Sequence, residues 1–483
     1  MTIALAALIV LGITALLLFA VAPVTDDRPE DAADLAIVGL GASLALTIFG
    51  IVRLIDGTDS PYQVYGAFEA NLFSMTALGL VLVIGLLVSL GARANVKGYP
   101  AGPGELYAFI ACATLGGALM VGANNLLVLF MGIELASYAT YIMVGYYRTE
   151  RTSSEGAAKY FVLGALSSAL LLYGMSLLYG ALGSIEYQAM ALAFQADATS
   201  PLLWPGLALV LVGFGFKLAL VPFHAWTPDA YQGAPAMVAA LLSVGPKSAA
   251  AIALVVLLST VFADGEIAGL WQRVLIVLAV VTMTVGNLQA LAQTHVKRLL
   301  GYSSIAQLGN IIVGIAVATT LGYGAVLLYA IAYAFTNIAA FTAVSALRDS
   351  GVDEELASYN GLGRRAPAAA LMLTIALLSL AGIPATAGFA GKLFVFTAAV
   401  QADLVWLALV GFANAALSFV YYAKIMNAMW LRSAPEGAGP VPVHGVSTAT
   451  LGLCTAGILI VGLYAGPLLE LLQQATATLV AMP

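Results

Sequence analysis

Fourteen segments of this chain are each long and apolar enough to cross a bilayer, and that restricts the fold more than any other property of the sequence. A crossing helix needs about 20 mainly apolar residues, because hydrocarbon leaves every backbone N–H and C=O to be satisfied inside the segment. The segments fall at 3–22, 34–55, 70–91, 105–122, 125–147, 156–181, 205–224, 235–261, 272–293, 298–319, 322–347, 367–399, 403–430 and 448–472. The fourth and fifth, separated only around Asn124 and Asn125, are expected to form a tight hairpin. The first lacks a basic start and a clear cleavage site, and many spans follow it, so it reads as structure rather than as a leader. Only 9% of residues are charged, against roughly a quarter in soluble domains. The expected class is an all-α polytopic membrane protein whose environment is the lipid bilayer.

Charge placement gives the orientation, since lysine and arginine concentrate in cytoplasmic loops. The odd-numbered loops hold eleven such residues: Arg28, Arg93, Lys97, Arg148, Arg151, Lys297, Arg298, Arg348, Arg364, Arg365 and Arg432. The even-numbered loops hold two, Arg53 and Arg273. Both termini are therefore expected on the non-cytoplasmic side. A wrong helix count would scramble this alternation, so the split supports fourteen spans.

Several chemistries are excluded. Cys112 and Cys454 lie in apolar runs, the three histidines are scattered, and no HxxxH or CxxC spacing occurs, so a metal, haem or iron–sulfur site built by this chain alone is not expected. No glycine-rich phosphate loop follows a strand pattern, and no basic, aromatic-interleaved face points to nucleic acid. The formal net charge of -6 comes mainly from loop acids, among them Asp26, Asp27, Glu30, Asp31, Asp353, Glu354 and Glu355, which read as solvated. His295, next to Lys297 and Arg298, reads as a surface residue.

Against this background the stretch FKLALVPFHAWTPDAYQGAP, residues 216–235, stands out. Pro222, Pro228 and Pro235 remove backbone donors and free carbonyls, which membrane depth tolerates only beside protein or a water-filled cavity. Lys217 lies in the same span with no carboxylate near it in sequence. A charge there costs about 2.5–3.5 kcal/mol on insertion scales, so it needs either an ion-pair partner or a proton to exchange. Glu134, in LLVLFMGIELASYATYIMVG, is the natural partner. His224 and Asp229 flank the break, as helix caps or, for His224, as a proton relay.

Four more lysines lie within spans: Lys159, Lys247, Lys392 and Lys424. Lys247 follows Pro246 and either continues a path from Lys217 or holds a carbonyl loosened by that proline. Lys392 lies in LSLAGIPATAGFAGK, a second span interrupted by Pro384 and by Gly382, Gly388 and Gly391. Lys159 is placed to snorkel or to join the path, and Lys424, near Arg432, to snorkel. Two broken helices, each with a lysine, are a mark of inverted-repeat transporters. The expected division is 1–104 with three helices, 105–261 and 262–431 as two inverted five-helix repeats, and 432–483 with the last helix.

These motifs resemble the antiporter-like membrane subunits of respiratory complex I. The likeness rests on EGAAKYFVLGALSSALLLYG (155–174), KLALVPFHAWTPDAYQGAP (217–235), KRLLGYSSIAQLG (297–309) and LSLAGIPATAGFAGK (378–392), and covers roughly residues 105–430. Trp226, Thr227, Pro228 and Asp229 follow one branch of that family, where others carry a leucine-proline-aspartate form. Lys392 separates the chain from a branch with glutamate there. The resemblance implies a fourteen-helix fold with two inverted repeats and no long lateral helix. It implies that Glu134, Lys217, Lys247 and Lys392 translocate protons, with Lys159 a further intramembrane lysine. Gln307 and Asn310 depart from the histidine and tyrosine common in the family, and Ala236 and Met237 from a Thr-Pro pair.

The expected function is a non-redox, proton-translocating subunit of a complex I-type NADH:quinone oxidoreductase. Flavin and iron–sulfur clusters are expected in partner subunits, the partners being other membrane-arm subunits, and quinone is used by the complex without binding here. The rivals are a subunit of a multisubunit cation/proton antiporter, of a membrane-bound hydrogenase or of a deazaflavin dehydrogenase; a passive anchoring subunit; and an independent small-molecule transporter.

Overall fold

The structure, a computed structural model, describes residues 2–24, 28–94, 102–443 and 445–480. Asp26, Asp27 and Lys97, three charges invoked above, lie outside the described residues. Helices α1 (Ile3–Val21) and α2 (Pro29–Ile55) form an antiparallel pair, followed by a short hairpin of β1 (Tyr62–Val64) and β2 (Phe68–Ala70). Then come α3 (Leu72–Arg93), α4 (Pro103–Val121), α5 (Leu126–Val144), α6 (Arg151–Leu182) and a short α7 (Tyr187–Ala196). The first interrupted crossing is α8 (Leu203–Lys217) and α9 (Thr227–Gly233), leading into α10 (Ala236–Val261). Next are α11 (Gly265–Leu291), α12 (Val296–Ala316), α13 (Thr320–Asp349) and a single turn, α14 (Leu362–Arg365). The second interrupted crossing is α15 (Pro367–Ala381) and α16 (Ala387–Gln401), and α17 (Val405–Trp430), α18 (Gly445–Leu463) and α19 (Ala465–Val480) complete the chain.

Among the described residues twelve helices are long and apolar enough to cross a membrane, and the two interrupted crossings bring the number to fourteen. The chain is a multi-pass membrane protein. Helices α10, α12 and α13 are buried over nearly their whole length, while α1, α2, α6, α11, α17 and α18 leave most of theirs on the outside. Sequence and packing agree here, because a helix apolar all round is one with protein or lipid on every side. The expected hairpin between the fourth and fifth spans is tight: Asn125 caps α5 by accepting from Val128 N at 2.8 Å and donates to the Gly66 carbonyl at 3.1 Å. Small residues let the two helices touch, since a Cβ at Gly116 would stand 2.5 Å from the Ala136 nitrogen.

The end of the chain differs from expectation. The last crossing stops at Leu463 instead of running to 472, and α19 packs on α3, α10 and α13. Pro467 is the physical reason: proline fits the first turn of a new helix and not the interior of a continuing one. The twelfth span likewise resolves into α15 and α16, with Gly382 at a φ of +88° between them.

Candidate functional site

Backbone donors freed at the first break find new partners. Lys217 ends α8, and Ala219, at a φ of +54°, turns the chain so that its N–H donates to the Phe216 carbonyl at 3.0 Å. The Trp226 indole donates to that same carbonyl at 3.2 Å, and the Val221 N–H finds Thr282 of α11 at 3.0 Å. Pro222 is exposed at this turn, and Pro228 is buried in the first turn of α9. At the second break Lys392 donates to the carbonyls of Leu380 and Ala381, at 2.7 and 3.1 Å, the last two residues of α15. A cation at a helix C-terminus meets both the orphan carbonyls and the negative end of the macrodipole. Pro384 is exposed in the connection.

Three of the four principal charges are deeply buried: Lys217 is 3% exposed, Lys247 1% and Lys392 4%. Among the described residues none of them is ion-paired. Their bonds go to hydroxyls and carbonyls instead. Lys217 donates to Ser137 Oγ at 2.8 Å, and Glu134, one turn earlier on α5, accepts from Ser168 Oγ of α6 at 2.5 Å. The expected Glu134–Lys217 partnership is therefore not a contact pair; each group bonds a different serine, and Ser137 donates its own proton to the Ile133 carbonyl. Lys247 donates to Ser304 Oγ at 2.9 Å and lies over the rings of Trp226 and Tyr231. Trp226 stacks on Tyr160 with centroids 4.1 Å apart, and Tyr160 reaches Thr140 of α5 at 3.2 Å. An aromatic and hydroxyl bridge thus runs between the Lys217 and Lys247 positions.

From Lys247 onward the polar groups come from α12, whose Ser303, Ser304, Gln307 and Asn310 are all buried. Ser303 meets the Tyr422 hydroxyl at 2.5 Å. Gln307 Nε2 donates to that hydroxyl at 3.2 Å and to the Leu380 carbonyl at 2.8 Å, while its Oε1 accepts from Tyr329. Leu380 O is the carbonyl that Lys392 also holds. Sequence reasoning noted Gln307 only as a departure from a family pattern and missed Ser137, Ser304, Tyr329 and Tyr422. The available signal was the polar spacing i, i+1, i+4, i+7 inside an otherwise apolar helix.

Other expected residues lie elsewhere. Lys159 is 43% exposed and pairs with Glu155 at 2.7 Å and Asp229 at 2.5 Å; Asp229 is paired in turn with Arg298. His224 faces the Gln289 amide oxygen at 3.3 Å, and its Nδ1 is buried without a hydrogen-bond partner among the described residues. Lys424, exposed, donates to the Leu291 carbonyl.

Two expectations are corrected. Glu354 is not a solvated loop acid: it is buried and accepts from Lys297 at 3.0 Å, with Arg348 at 3.4 Å and His295 at 3.5 Å. His295 is half-buried beneath the same loop, where burial pulls its pKa below the usual imidazole value, Glu354 opposing. Both follow from Lys297, which is drawn under the 350–361 connection to hold the Ala234 carbonyl at 2.8 Å and gathers a counter-ion there.

Comparison with known proteins gives the same architecture. A family described as NADH:quinone oxidoreductase/Mrp antiporter, TM, matches residues 123–418. The chain is 39% identical over 417 residues to NADH-quinone oxidoreductase subunit N of Desulfitobacterium hafniense, covering 83% of this chain and 84% of that one. It is 37% identical over 463 residues to F(420)H(2) dehydrogenase subunit N of Methanosarcina mazei, covering 92% of each. A chain in the structure of respiratory complex I from Thermus thermophilus with bound aureothin superposes with a TM-score of 0.80 at 30% identity, over 96% of this chain and 98% of that one.

Proposed function

The chain belongs to the NADH:quinone oxidoreductase/Mrp antiporter membrane family, and from that premise we propose that it carries protons across the membrane as a subunit of a complex I-type NADH:quinone oxidoreductase. The observation that carries the reading is the set of three buried lysines without contacting carboxylates among the described residues. A structural ion pair has its partner in contact; an amine that accepts and releases a proton is served by neutral hydroxyls and carbonyls, as here. Glu134 and Lys217 form the loading pair, Lys247 receives the proton through the Tyr160–Trp226 and Ser304 region, and Lys392 releases it. Lys159 and His224 border this path, and the breaks at Pro222, Pro228 and Pro384 are its hinges and points of hydration.

Moving one charge against 100 mV costs about 2.3 kcal/mol, and the energy is supplied by redox chemistry in partner subunits. Flavin and iron–sulfur clusters belong to those partners, quinone binds elsewhere in the complex, and this chain has no redox site. Its neighbours are other membrane-arm subunits in a prokaryotic cell membrane, with both termini on the non-cytoplasmic side. Residues 105–261 and 262–431 act as two inverted five-helix units, one break in each, flanked by 1–104 and 432–483.

Replacing Lys217 with methionine in the assembled complex tests the function. Coupled quinone reduction and proton uptake into vesicles are expected to fall roughly tenfold or more; full activity in an assembled variant sinks the reading. The likeness to the F(420)H(2) dehydrogenase subunit, over 92% of each chain, favours a second donor, a reduced deazaflavin. Co-purified partner chains decide between the two donors, and sodium-dependent transport without a quinone-reducing partner would point to an antiporter instead.

A further inference from the structure

We propose that the cleft between the ends of α11 and α17 on the basic-loop side binds the headgroup of an anionic phospholipid, held by Lys424 and Arg432. The cleft, about 580 Å³, is lined by both cations, by Thr294, Asn360 and Asn427, and by Glu355. Lys424 donates to the carbonyl of Leu291, the last residue of α11, and so stands at the level where that helix ends. One of its three donors is used, leaving two. Arg432 donates from Nε to Asn427 Oδ1 at 3.3 Å, leaving the outer edge of its fork.

Neither cation is ion-paired among the described residues, although Lys159, Lys297, Arg298 and Arg348 on the same side all are. Among the described residues Glu355 is the lone carboxylate lining the cleft and is not in ion-pair contact with either cation, so the net charge is positive. An arginine fork with a lysine beside it suits a phosphate diester.

The rim identifies a lipid rather than a soluble anion. Val420 lines the cleft; Phe419 and Trp430 are exposed on the same membrane-crossing helix, and Leu431 is exposed just past its end. Tryptophan at this level marks the interface between headgroups and acyl chains. Basic pockets between membrane helices on the cytoplasmic side are where anionic headgroups bind. The headgroup enters the cleft while its acyl chains follow the apolar face of α17.

The test uses the assembled, delipidated complex, incubated with phosphatidylglycerol, phosphatidylcholine or inorganic phosphate, with bound molecules counted by native mass spectrometry. Phosphatidylglycerol is expected to bind, with affinity falling roughly fivefold in Arg432→Gln and roughly thirtyfold in Lys424→Gln/Arg432→Gln. Phosphatidylcholine should bind weakly, and inorganic phosphate should not displace the lipid. Equal phosphatidylglycerol binding by parent and variants, equal retention of phosphatidylcholine, or displacement by phosphate each overturns the proposal. Arg432 is exposed, so its single variant carries the test if the double one fails to assemble.

Discussion

Gln307 is the residue whose role the structure alters most. Its amide shares the Leu380 carbonyl with Lys392, so the lysine can let go of that carbonyl without leaving it bare. Removing a shared donor from a buried acceptor costs about 1 kcal/mol. Gln307→Leu is therefore expected to slow coupled turnover roughly fivefold and to lower the protons moved per quinone reduced. Gln307→His, which keeps an N–H donor, should restore both. A leucine variant that assembles and pumps normally excludes this role, as does a histidine variant no better than leucine. Lys217, Lys247 and Lys392 were legible in the sequence because a charge in an apolar run declares itself. Gln307 and Ser304 were not, since a buried amide or hydroxyl has meaning only through its partners, here 73 and 57 positions away. Glu354 was misread for the same reason, its partner Lys297 lying across the connection between two helices.

At the level of elements, the second break depends on one glycine. A Cβ at Gly388 would lie 1.9 Å from the Ser379 carbonyl oxygen, a backbone atom that cannot swing aside. Gly388→Ala is expected to destabilise the protein by at least the roughly 1–3 kcal/mol typical of overpacking, seen as a lower thermal midpoint or poorer assembly. Gly452→Ala, where nothing lies within 4 Å, is the matched control and should be neutral. If both variants melt alike, the close approach at 388 has no energetic weight. Element existence was largely readable, because twenty apolar residues leave few alternatives. The boundary at Leu463 was not: mainly apolar residues, broken by Glu470, continue to Leu472, and Gly466 and Pro467 mark the new start.

Across the whole molecule, ion pairs on the basic-loop side join parts distant in sequence. Arg348 reaches Glu150, 198 positions away, and Asp229 binds both Lys159 and Arg298. His295 sits at the edge of this network, facing Glu354, Glu355, Lys297 and Arg298. Its pKa is lowered in the fold, so the folded state favours the neutral ring. That contribution is complete above the ordinary imidazole pKa of about 6.5 and is lost as pH falls below it. Amide hydrogen exchange in residues 350–361, corrected for its intrinsic pH dependence, is expected to accelerate below about pH 6 in the parent and not in His295→Gln. Identical profiles would remove His295 from the network.

The separate serine partners of Glu134 and Lys217 have a consequence for energy conversion. Opposite charges held apart by their own hydroxyl partners act as the plates of a charged capacitor, part of whose attraction is released when the gap closes. Closing a separation from about 8 to 4 Å releases about 2 kcal/mol at an effective dielectric of 20, comparable with the roughly 2.3 kcal/mol needed to drive one charge against 100 mV. If the proposed loading pair operates, exchanging two hydroxyl partners for one another is a movement on the energy scale of one proton transfer.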